Sequence, residues 1–448
     1  MSEHALSVWA PQGRVGTLFY DSDDGSFRFD YDSVWIARLD AYPITPHLPL
    51  HPKAEQTPQA HSNTVRRFIS NLLPEGKTLD DVASAYQISK NNSFALIAAI
   101  GQETTGALRF LPADAISPDE TDERRLLSLG ELSERIRERP GLPFSVWDGR
   151  VRLSAAGVQD KIAAYRDDAS GAFYLVQGRY SSTHILKPEP VVANGVSLHM
   201  VANEHYCMRL AQALGLPVAN VELLRVPEPV LVVQRFDRAP TDSGVVRKHV
   251  IDGCQLLDFP VDKKYERNLG ESNADVRLIR EGVSFPRLFA VADTLIEPAL
   301  YRRQLIQWLA FQVLIQNGDA HGKNLSYFVE PAGMRLTPAY DLVCITPYPQ
   351  WSNTMSMAIG DEFQFEALKP YDWASLAATC GLDRPYLSRT LTSLAKAALT
   401  HARPVANAGP YTGDERELVA NVVETVLTSA TRLLEAAKEI PKISADLL

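Results

Sequence analysis

A change in the spacing of apolar residues near Asp237 is the feature that most constrains the fold. Between about residues 149 and 236, short apolar runs such as VELLRV and VLVVQRFDR indicate strands, with one helix predicted through VANEHYCMRLAQALGLP. After Asp237, apolar residues recur at helical spacing in segments as long as ELVANVVETVLTSATRLLEAAKEI. We therefore predict an α+β fold in which a strand-rich lobe precedes an all-helical lobe.

The first part of the chain indicates a separate module. Strand-like runs (LSVWA, RVGTLFY, SFRFDY) precede a helical segment, SNTVRRFISNLLPEG. The proline- and acid-rich stretch PADAISPDETDERR then predicts a boundary. The predicted divisions are an N-terminal α/β module at 1–112, a strand-rich lobe at 125–238 and a helical lobe at 239–448.

Composition excludes several classes of protein. A net charge of −9 over 448 residues argues against a broad surface for DNA or RNA. The four cysteines form no CxxC pair, so neither a zinc ribbon nor a disulfide framework is indicated. The start, SEHALSVWAPQG, lacks the pattern of a secretory signal, and 18 apolar residues never run together. We expect a cytoplasmic protein that does not enter the membrane.

The polar stretch NGDAHGKNLSYFVEPAGMRLTPAYD, residues 317–341, follows the apolar run WLAFQVLI. Polar groups placed there are costly if buried without partners, so they form either a solvated turn or a site. Asp319 and Asn324 have the spacing of the base and the Mg²⁺ ligand in protein-kinase catalytic loops. The residues after Asn324 predict strand, turn and strand before Asp341, where a second metal ligand is expected.

Other parts of a kinase precede this stretch in the expected order. Lys187 ends the strand-like THILKP, and Glu204 follows 17 residues later on the predicted helix, as a lysine-positioning glutamate would. LSAAGVQDK, residues 153–161, is rich in small residues and could approach phosphates. Each residue alone has another interpretation. Asp319 and Asn324 fit turn caps, Lys187 fits a surface lysine, and Glu204 fits an acid that complements the helix dipole. Their order favours a two-lobed protein-kinase-like fold.

The motifs LSAAGVQDK, THILKP, NEHYC, VQRFDR, NGDAHGKN and TPAYD resemble, in order and spacing, those of the HipA-type serine/threonine kinases, the toxins of bacterial toxin–antitoxin pairs. NLLPEG and IGQETTGALRFLP resemble that family's N-terminal module. After about Thr400 the likeness is only in helical character. GxGxxG, HRD, DFG and APE are absent, so control through a eukaryotic-type activation segment is not expected.

The resemblance implies a role for each candidate residue. It implies that Asp319 is the catalytic base, that Asn324 and Asp341 bind Mg²⁺, and that Lys187 binds ATP phosphates. It implies an autophosphorylated serine at Ser154, whose modified loop swings out and stops ATP binding. The remaining residues expected around the nucleotide are Ala155, Ala156, Gly157 and Val158 in the phosphate loop, Gln234 and Phe236 at the adenine hinge, Asp237 near the ribose, and His321 and Tyr340 lining the site.

The resemblance also implies partners. The expected substrate is an aminoacyl-tRNA synthetase, and the expected partner is a small helix-turn-helix, HipB-like antitoxin through which the acidic chain would reach DNA indirectly. Two other functions fit parts of the pattern. One is a small-molecule kinase of the aminoglycoside-phosphotransferase type, and the other is a catalytically silent co-repressor.

Overall fold

The computed structural model describes residues 3–52, 56–117, 123–139, 141–148, 150–152, 159–178, 180–190, 197–242, 244–270 and 275–448. Residues 153–158 of the predicted phosphate loop, which include Ser154, Ala155, Ala156, Gly157 and Val158, lie outside these residues. The chain forms two compact units. The first comprises residues 1–197, 224–251 and 327–333, and the second comprises residues 198–223, 252–326 and 334–448.

The N-terminal stretch forms a four-stranded sheet flanked by short helices. Its elements are β1 (Glu3–Ala10), β2 (Gly13–Asp21), β3 (Phe27–Tyr31), α1 (Ser33–Ile36), α2 (Pro58–Leu72), α3 (Gly76–Tyr86), α4 (Ser93–Ile100) and β4 (Arg109–Pro112). The strand order is β3-β2-β1-β4. The predicted helix is confirmed as α2, which begins where the Thr57 hydroxyl accepts a hydrogen bond from the amide of Ala60.

The next stretch contains a six-stranded sheet of order β11-β12-β10-β8-β9-β5. Its elements are β5 (Glu123–Leu127), α5 (Leu129–Glu138), β6 (Val146–Trp147), β7 (Arg150–Val151), β8 (Ile162–Arg166), β9 (Phe173–Gln177), β10 (His184–Pro188), α6 (Met200–Ala213), β11 (Val221–Arg225), β12 (Pro229–Gln234), β13 (Arg238–Thr241), β14 (Gly244–Arg247) and β15 (Val250–Asp252). Leu132 and Ile136 of α5 pack with Leu175 and Leu186 of the sheet in one buried cluster. The predicted strand that carries Lys187 is confirmed as β10.

Buried ion pairs join the N-terminal module to the strand-rich stretch within the first unit. The Glu103 carboxylate accepts from Arg247 at 2.7 Å, and Asp237 accepts from Arg235 and Arg238 at 2.8 and 2.6 Å. The three arginines are almost fully buried. A charge cluster in this environment requires all of its partners, because a buried unpaired ion is strongly destabilising. The predicted boundary after residue 112 therefore lies inside one compact unit.

The remaining elements are mostly helical. They are α7 (Gly253–Leu256), α8 (Phe285–Ala290), α9 (Pro298–Ile315), β16 (Ser326–Glu330), β17 (Gly333–Leu336), β18 (Thr354–Ile359), β19 (Glu362–Gln364), α10 (Pro370–Thr379), α11 (Arg384–Ala408) and α12 (Asp414–Glu439). Strands β16 and β17 are hydrogen-bonded neighbours, which confirms the predicted hairpin between Asn324 and Asp341. With β18 and β19 also present, the stretch after residue 238 is rich in helix rather than all-helical. The described part of the chain contains no helix that is long and apolar enough to cross a membrane.

A buried histidine on α6 should make the second unit sensitive to acid. His205 lies 2.9 Å from the Tyr411 hydroxyl, and burial lowers its pKa from 6.5 to about 4. As the pH falls, the unfolded chain binds this proton before the folded chain does. The contribution of neutral His205 to stability is therefore fully present above pH 6.5 and is lost as the pH falls towards 4. This histidine should cost about 2 kcal/mol of unfolding free energy at pH 5 relative to pH 7.5.

The measurement is urea unfolding at pH 7.5 and pH 5 for wild type and His205→Gln. The variant should lose less stability on acidification than wild type does. His401→Gln changes an exposed histidine on α11 and serves as the control, for which we expect the wild-type loss. Equal pH dependence in wild type and His205→Gln would contradict this assignment.

Candidate active site

The loop of residues 317–324 begins where α9 stops. Gln316 ends the helix with a left-handed backbone, at a φ of 48°. The Asn317 side chain then donates to Gln312 Oε1 at 2.9 Å and accepts from the amide of Asp319 at 3.1 Å. Asn317 thus fixes the turn that presents Asp319, a role that the sequence pattern did not reveal.

Asp319 and Asn324 are joined through the backbone of the loop. The carbonyl oxygen of Asp319 accepts from the His321 amide at 2.9 Å and from Asn324 Nδ2 at 2.8 Å. The loop is therefore closed by the main chain of Asp319, and its carboxylate side chain is 55% exposed. Because Nδ2 of Asn324 is committed to that carbonyl, Oδ1 is the atom that suits a cation.

Two glycines of the loop are required by close packing. A Cβ atom at Gly322 would lie 2.5 Å from Val283 Cγ2, and one at Gly318 would lie 2.9 Å from the carbonyl oxygen of Thr354. Real Cβ atoms do not make contacts this short. The spacing of glycines in NGDAHGKN therefore reflects contacts that hold the loop against neighbouring segments of the second unit.

Lys323 and Tyr340 brace the loop from its second half. Lys323 Nζ donates to Asp252 Oδ2 at 2.6 Å, and the lysine side chain is only 3% exposed. The Tyr340 hydroxyl donates to the Lys323 carbonyl at 2.7 Å and lies 2.7 Å from Ser326 Oγ. These contacts give Tyr340 a bracing role, and its place in the lining of the nucleotide site, which the resemblance implies, stays a prediction. The Lys323–Asp252 pair was not predicted.

His321 is a buried, neutral member of the loop. Burial, with help from the nearby Lys264 ammonium, lowers its pKa to about 3. Its ring meets Tyr265 edge-on at 5.1 Å, and its Nε2 lies 3.9 Å from Asp319 Oδ1. At this distance the ring does not hydrogen-bond the carboxylate. Burial therefore favours the neutral imidazole, and the predicted place of His321 beside the nucleotide stays a prediction.

The segment that carries Asp341 is anchored by α6. Asp341 has a left-handed backbone with a φ of 57°, which aspartate tolerates better than most residues do. Asn203 of α6 donates from Nδ2 to the Cys344 carbonyl at 2.8 Å and accepts from the Cys344 amide at 3.0 Å. A buried asparagine with both ends paired to the main chain fixes this segment. The NEHYC motif gave no direct sign of this role.

The other predicted residues lie on several elements. Lys187 is 8% exposed on β10, opposite Leu231 of β12, and Glu204 is 2% exposed on α6. Their pairing stays a prediction. At the predicted hinge, the Gln234 side chain is exposed and Phe236 packs edge-on against Phe328 at 5.9 Å.

Asp237 lies in a buried cluster of ion pairs. It is 4% exposed, and its carboxylate accepts from Arg235, Arg238 and the Gly106 amide. Burial raises its pKa, but the two arginines outweigh burial and lower it. Asp237 is thus part of a buried ion-pair cluster, and its predicted place near the ribose stays a prediction.

The donor set at Asn324 and Asp341 is compatible with Mg²⁺. Within the residues that the structure describes, no group of three or more His, Cys, Asp and Glu side chains could hold a metal ion. Mg²⁺ does not need such a group, because it is commonly bound by one or two carboxylates together with substrate phosphates and water. Carboxylate and amide oxygens are hard ligands of the kind it prefers.

Comparisons with known proteins show the family to which the chain belongs. Residues 153–402 match the HipA-like C-terminal domain, and residues 6–111 match the HipA N-terminal domain. The chain belongs to the HipA family. One HipA relative, the serine/threonine-protein kinase toxin HipA of Shewanella oneidensis, is 38% identical over 430 residues, covering 95% of each chain.

A solved complex of Shewanella oneidensis HipA, HipB and operator DNA contains a similar chain. The match has a TM-score of 0.86 at 37% identity and covers 98% of this chain and 100% of that chain. The fold is thus the α+β fold of HipA, and the enzyme is a HipA-type serine/threonine-protein kinase of the toxin–antitoxin class.

Proposed function

We propose that this HipA-family kinase transfers the γ-phosphoryl group of ATP to a serine or threonine hydroxyl of a protein, with Asp319 as the general base. The observation that carries the proposal is the loop of residues 317–324, whose backbone is closed by hydrogen bonds while the Asp319 carboxylate stays exposed. In the reaction, Asp319 accepts the hydroxyl proton, the hydroxyl oxygen bonds to the γ-phosphorus, and the bond to ADP breaks.

Asn324 and Asp341 would hold Mg²⁺, and Lys187 would bind ATP phosphates. Support comes from their residue types and from the anchoring of both segments by Asp319 and Asn203. When bound, Mg²⁺ supplies positive charge that neutralises the transferring phosphoryl group. The chain's own contribution is to keep these side chains in place before substrate arrives.

The partners follow from family membership. We propose that the protein substrate is an aminoacyl-tRNA synthetase, whose phosphorylation would slow translation and growth in the cytoplasm. We also propose neutralisation by a HipB-like helix-turn-helix antitoxin. The Shewanella oneidensis complex with HipB and operator DNA supports such an assembly, and a net charge of −9 favours DNA contact through the partner.

The function is tested by supplying labelled ATP and Mg²⁺ with two classes of acceptor. One set contains purified aminoacyl-tRNA synthetases, and the other contains aminoglycosides and related small molecules. Label on a serine or threonine of one synthetase is expected, and it should be absent with Asp319→Asn. Label only on a small molecule would support the phosphotransferase alternative. Nucleotide binding without transfer to any acceptor would support the silent co-repressor.

Ser154→Ala should abolish self-phosphorylation of the phosphate loop. A phosphoserine carries a charge near −2, so it would exclude ATP phosphates from the same loop. The unphosphorylated variant should therefore transfer label to the external substrate for longer than wild type does. Peptide mass spectrometry after incubation with ATP measures both effects, and Ser170→Ala, in an exposed loop between β8 and β9, is the control. Label that persists on the loop peptide of Ser154→Ala would refute the assignment.

A further inference from the structure

A tyrosine from outside the loop touches the proposed base. The Tyr265 hydroxyl donates to Asp319 Oδ1 at 2.7 Å, across 54 residues of sequence. This length is typical of a hydroxyl bonded to an ionised carboxylate. The Tyr265 ring also packs edge-on against His321 at 5.1 Å. Tyr265 therefore contacts two members of the loop at once.

The backbone around Tyr265 is held on both sides. The Gly322 amide of the loop donates to the Lys264 carbonyl at 2.9 Å, and the Glu266 amide donates to the Ser356 carbonyl at 3.0 Å. The Val283 amide donates to the Lys263 carbonyl at 2.9 Å. Tyr265 thus lies in a segment that is hydrogen-bonded to three others, one of which is the loop itself.

Side chains fix the same segment. Glu266 is 2% exposed on its side chain and accepts from Arg280 Nε at 2.6 Å and from the Ala358 amide at 2.7 Å. A Cβ atom at Gly282 would collide with the carbonyl oxygen of Tyr265, so the two backbones are in close contact. The backbone that carries Tyr265 is therefore fixed by contacts on both sides of the residue.

We propose that Tyr265 is a positioning residue that holds the Asp319 carboxylate in the orientation needed to accept the substrate proton. The proposal rests on the proposed role of Asp319 as base. With Oδ1 bonded to the tyrosine, the carboxylate presents Oδ2 to the acceptor hydroxyl. His321 does not fill this role, because its Nε2 lies 3.9 Å from Oδ1 and supplies only the surface on which the Tyr265 ring rests.

The test is Tyr265→Phe, which removes the hydroxyl and keeps the ring against His321. We expect kcat to fall by about ten- to a hundredfold, the range for a hydrogen bond to a charged group, with the KM values for ATP and for the protein acceptor unchanged. A purely structural role would change KM or the melting temperature instead. Tyr371→Phe, at a half-exposed tyrosine of α10, is the matched control and should leave kcat unchanged.

The double variant Tyr265→Phe with Asp319→Asn completes the cycle. If Tyr265 acts through Asp319, the double variant should lose no more activity than Asp319→Asn alone does. An unchanged or raised kcat in Tyr265→Phe, or a full further loss in the double variant, would overturn the positioning role. Failure of the proposed function would give a different result, because Asp319→Asn alone would then keep the wild-type kcat.

Discussion

Asp319→Asn should lower kcat for phosphoryl transfer by at least about a hundredfold, since an amide cannot accept the hydroxyl proton and a general base contributes this much or more. The fold should survive, because the loop uses the amide and carbonyl of Asp319 rather than its carboxylate. The amide oxygen can still accept from Tyr265. Steady-state kinetics with saturating ATP and acceptor measure the effect, and KM for ATP should stay close to that of wild type.

Asp293→Asn is the matched control for this result. Asp293 is 79% exposed, and its pair with Arg302 is a surface ion pair of the kind that contributes little. We expect wild-type kcat from it. Wild-type kcat from Asp319→Asn as well would mean that proton transfer does not depend on Asp319.

Glu103→Gln should lower the free energy of unfolding by roughly 3 kcal/mol, the low end for breaking a buried ion pair, because the Glu103 side chain is 26% exposed while its arginine partners are buried. Glu103 accepts from Arg247 and Ser182 at 2.7 Å and lies 3.5 Å from Arg235 and Arg238. Glutamine keeps the shape but removes the negative charge that these buried arginines require. Arg235 lies within the predicted hinge, so the substitution would also weaken the contact between the N-terminal module and the hinge.

Urea unfolding at pH 7 measures the effect, with Glu3→Gln as the control. Glu3 is paired with Arg28 in the same unit, but both side chains are about half exposed, so the change should be close to zero. Burial raises the pKa of Glu103, yet the three arginines outweigh it and lower the pKa to about 2. The stabilisation is therefore complete above about pH 4.5 and is lost as pH falls towards 2. Equal stabilities of Glu103→Gln and Glu3→Gln at pH 7 would contradict the role of this cluster.

Features set by neighbouring residues could be predicted from the sequence. The helix α6, the strand that carries Lys187 and the hairpin between Asn324 and Asp341 follow from local apolar periodicity and turn residues. The loop of residues 317–324 was predicted for the same reason, because its glycines, asparagines and aspartate all lie within eight positions.

Contacts between distant residues could not be predicted in this way. Tyr265 lies in a stretch without periodic apolar residues, 54 positions before Asp319, and Asn203 is 141 positions from Cys344. The ion pairs of Asp237 with Arg235 and Arg238 were likewise not predicted, because RFDR was interpreted as a hinge motif. The two arginines in that motif were also a sign of local ion pairs, which the structure shows.

The most direct test of the proposed function is intact-protein mass spectrometry of the phosphatase-treated chain after incubation with Mg²⁺ and ATP, beside Asp319→Asn. The account predicts the gain of a phosphoryl group on wild-type protein, at a serine, and no gain in the variant. Equal phosphorylation of both proteins, or none on wild type that still binds ATP, would contradict the claim that this loop catalyses transfer to a protein hydroxyl.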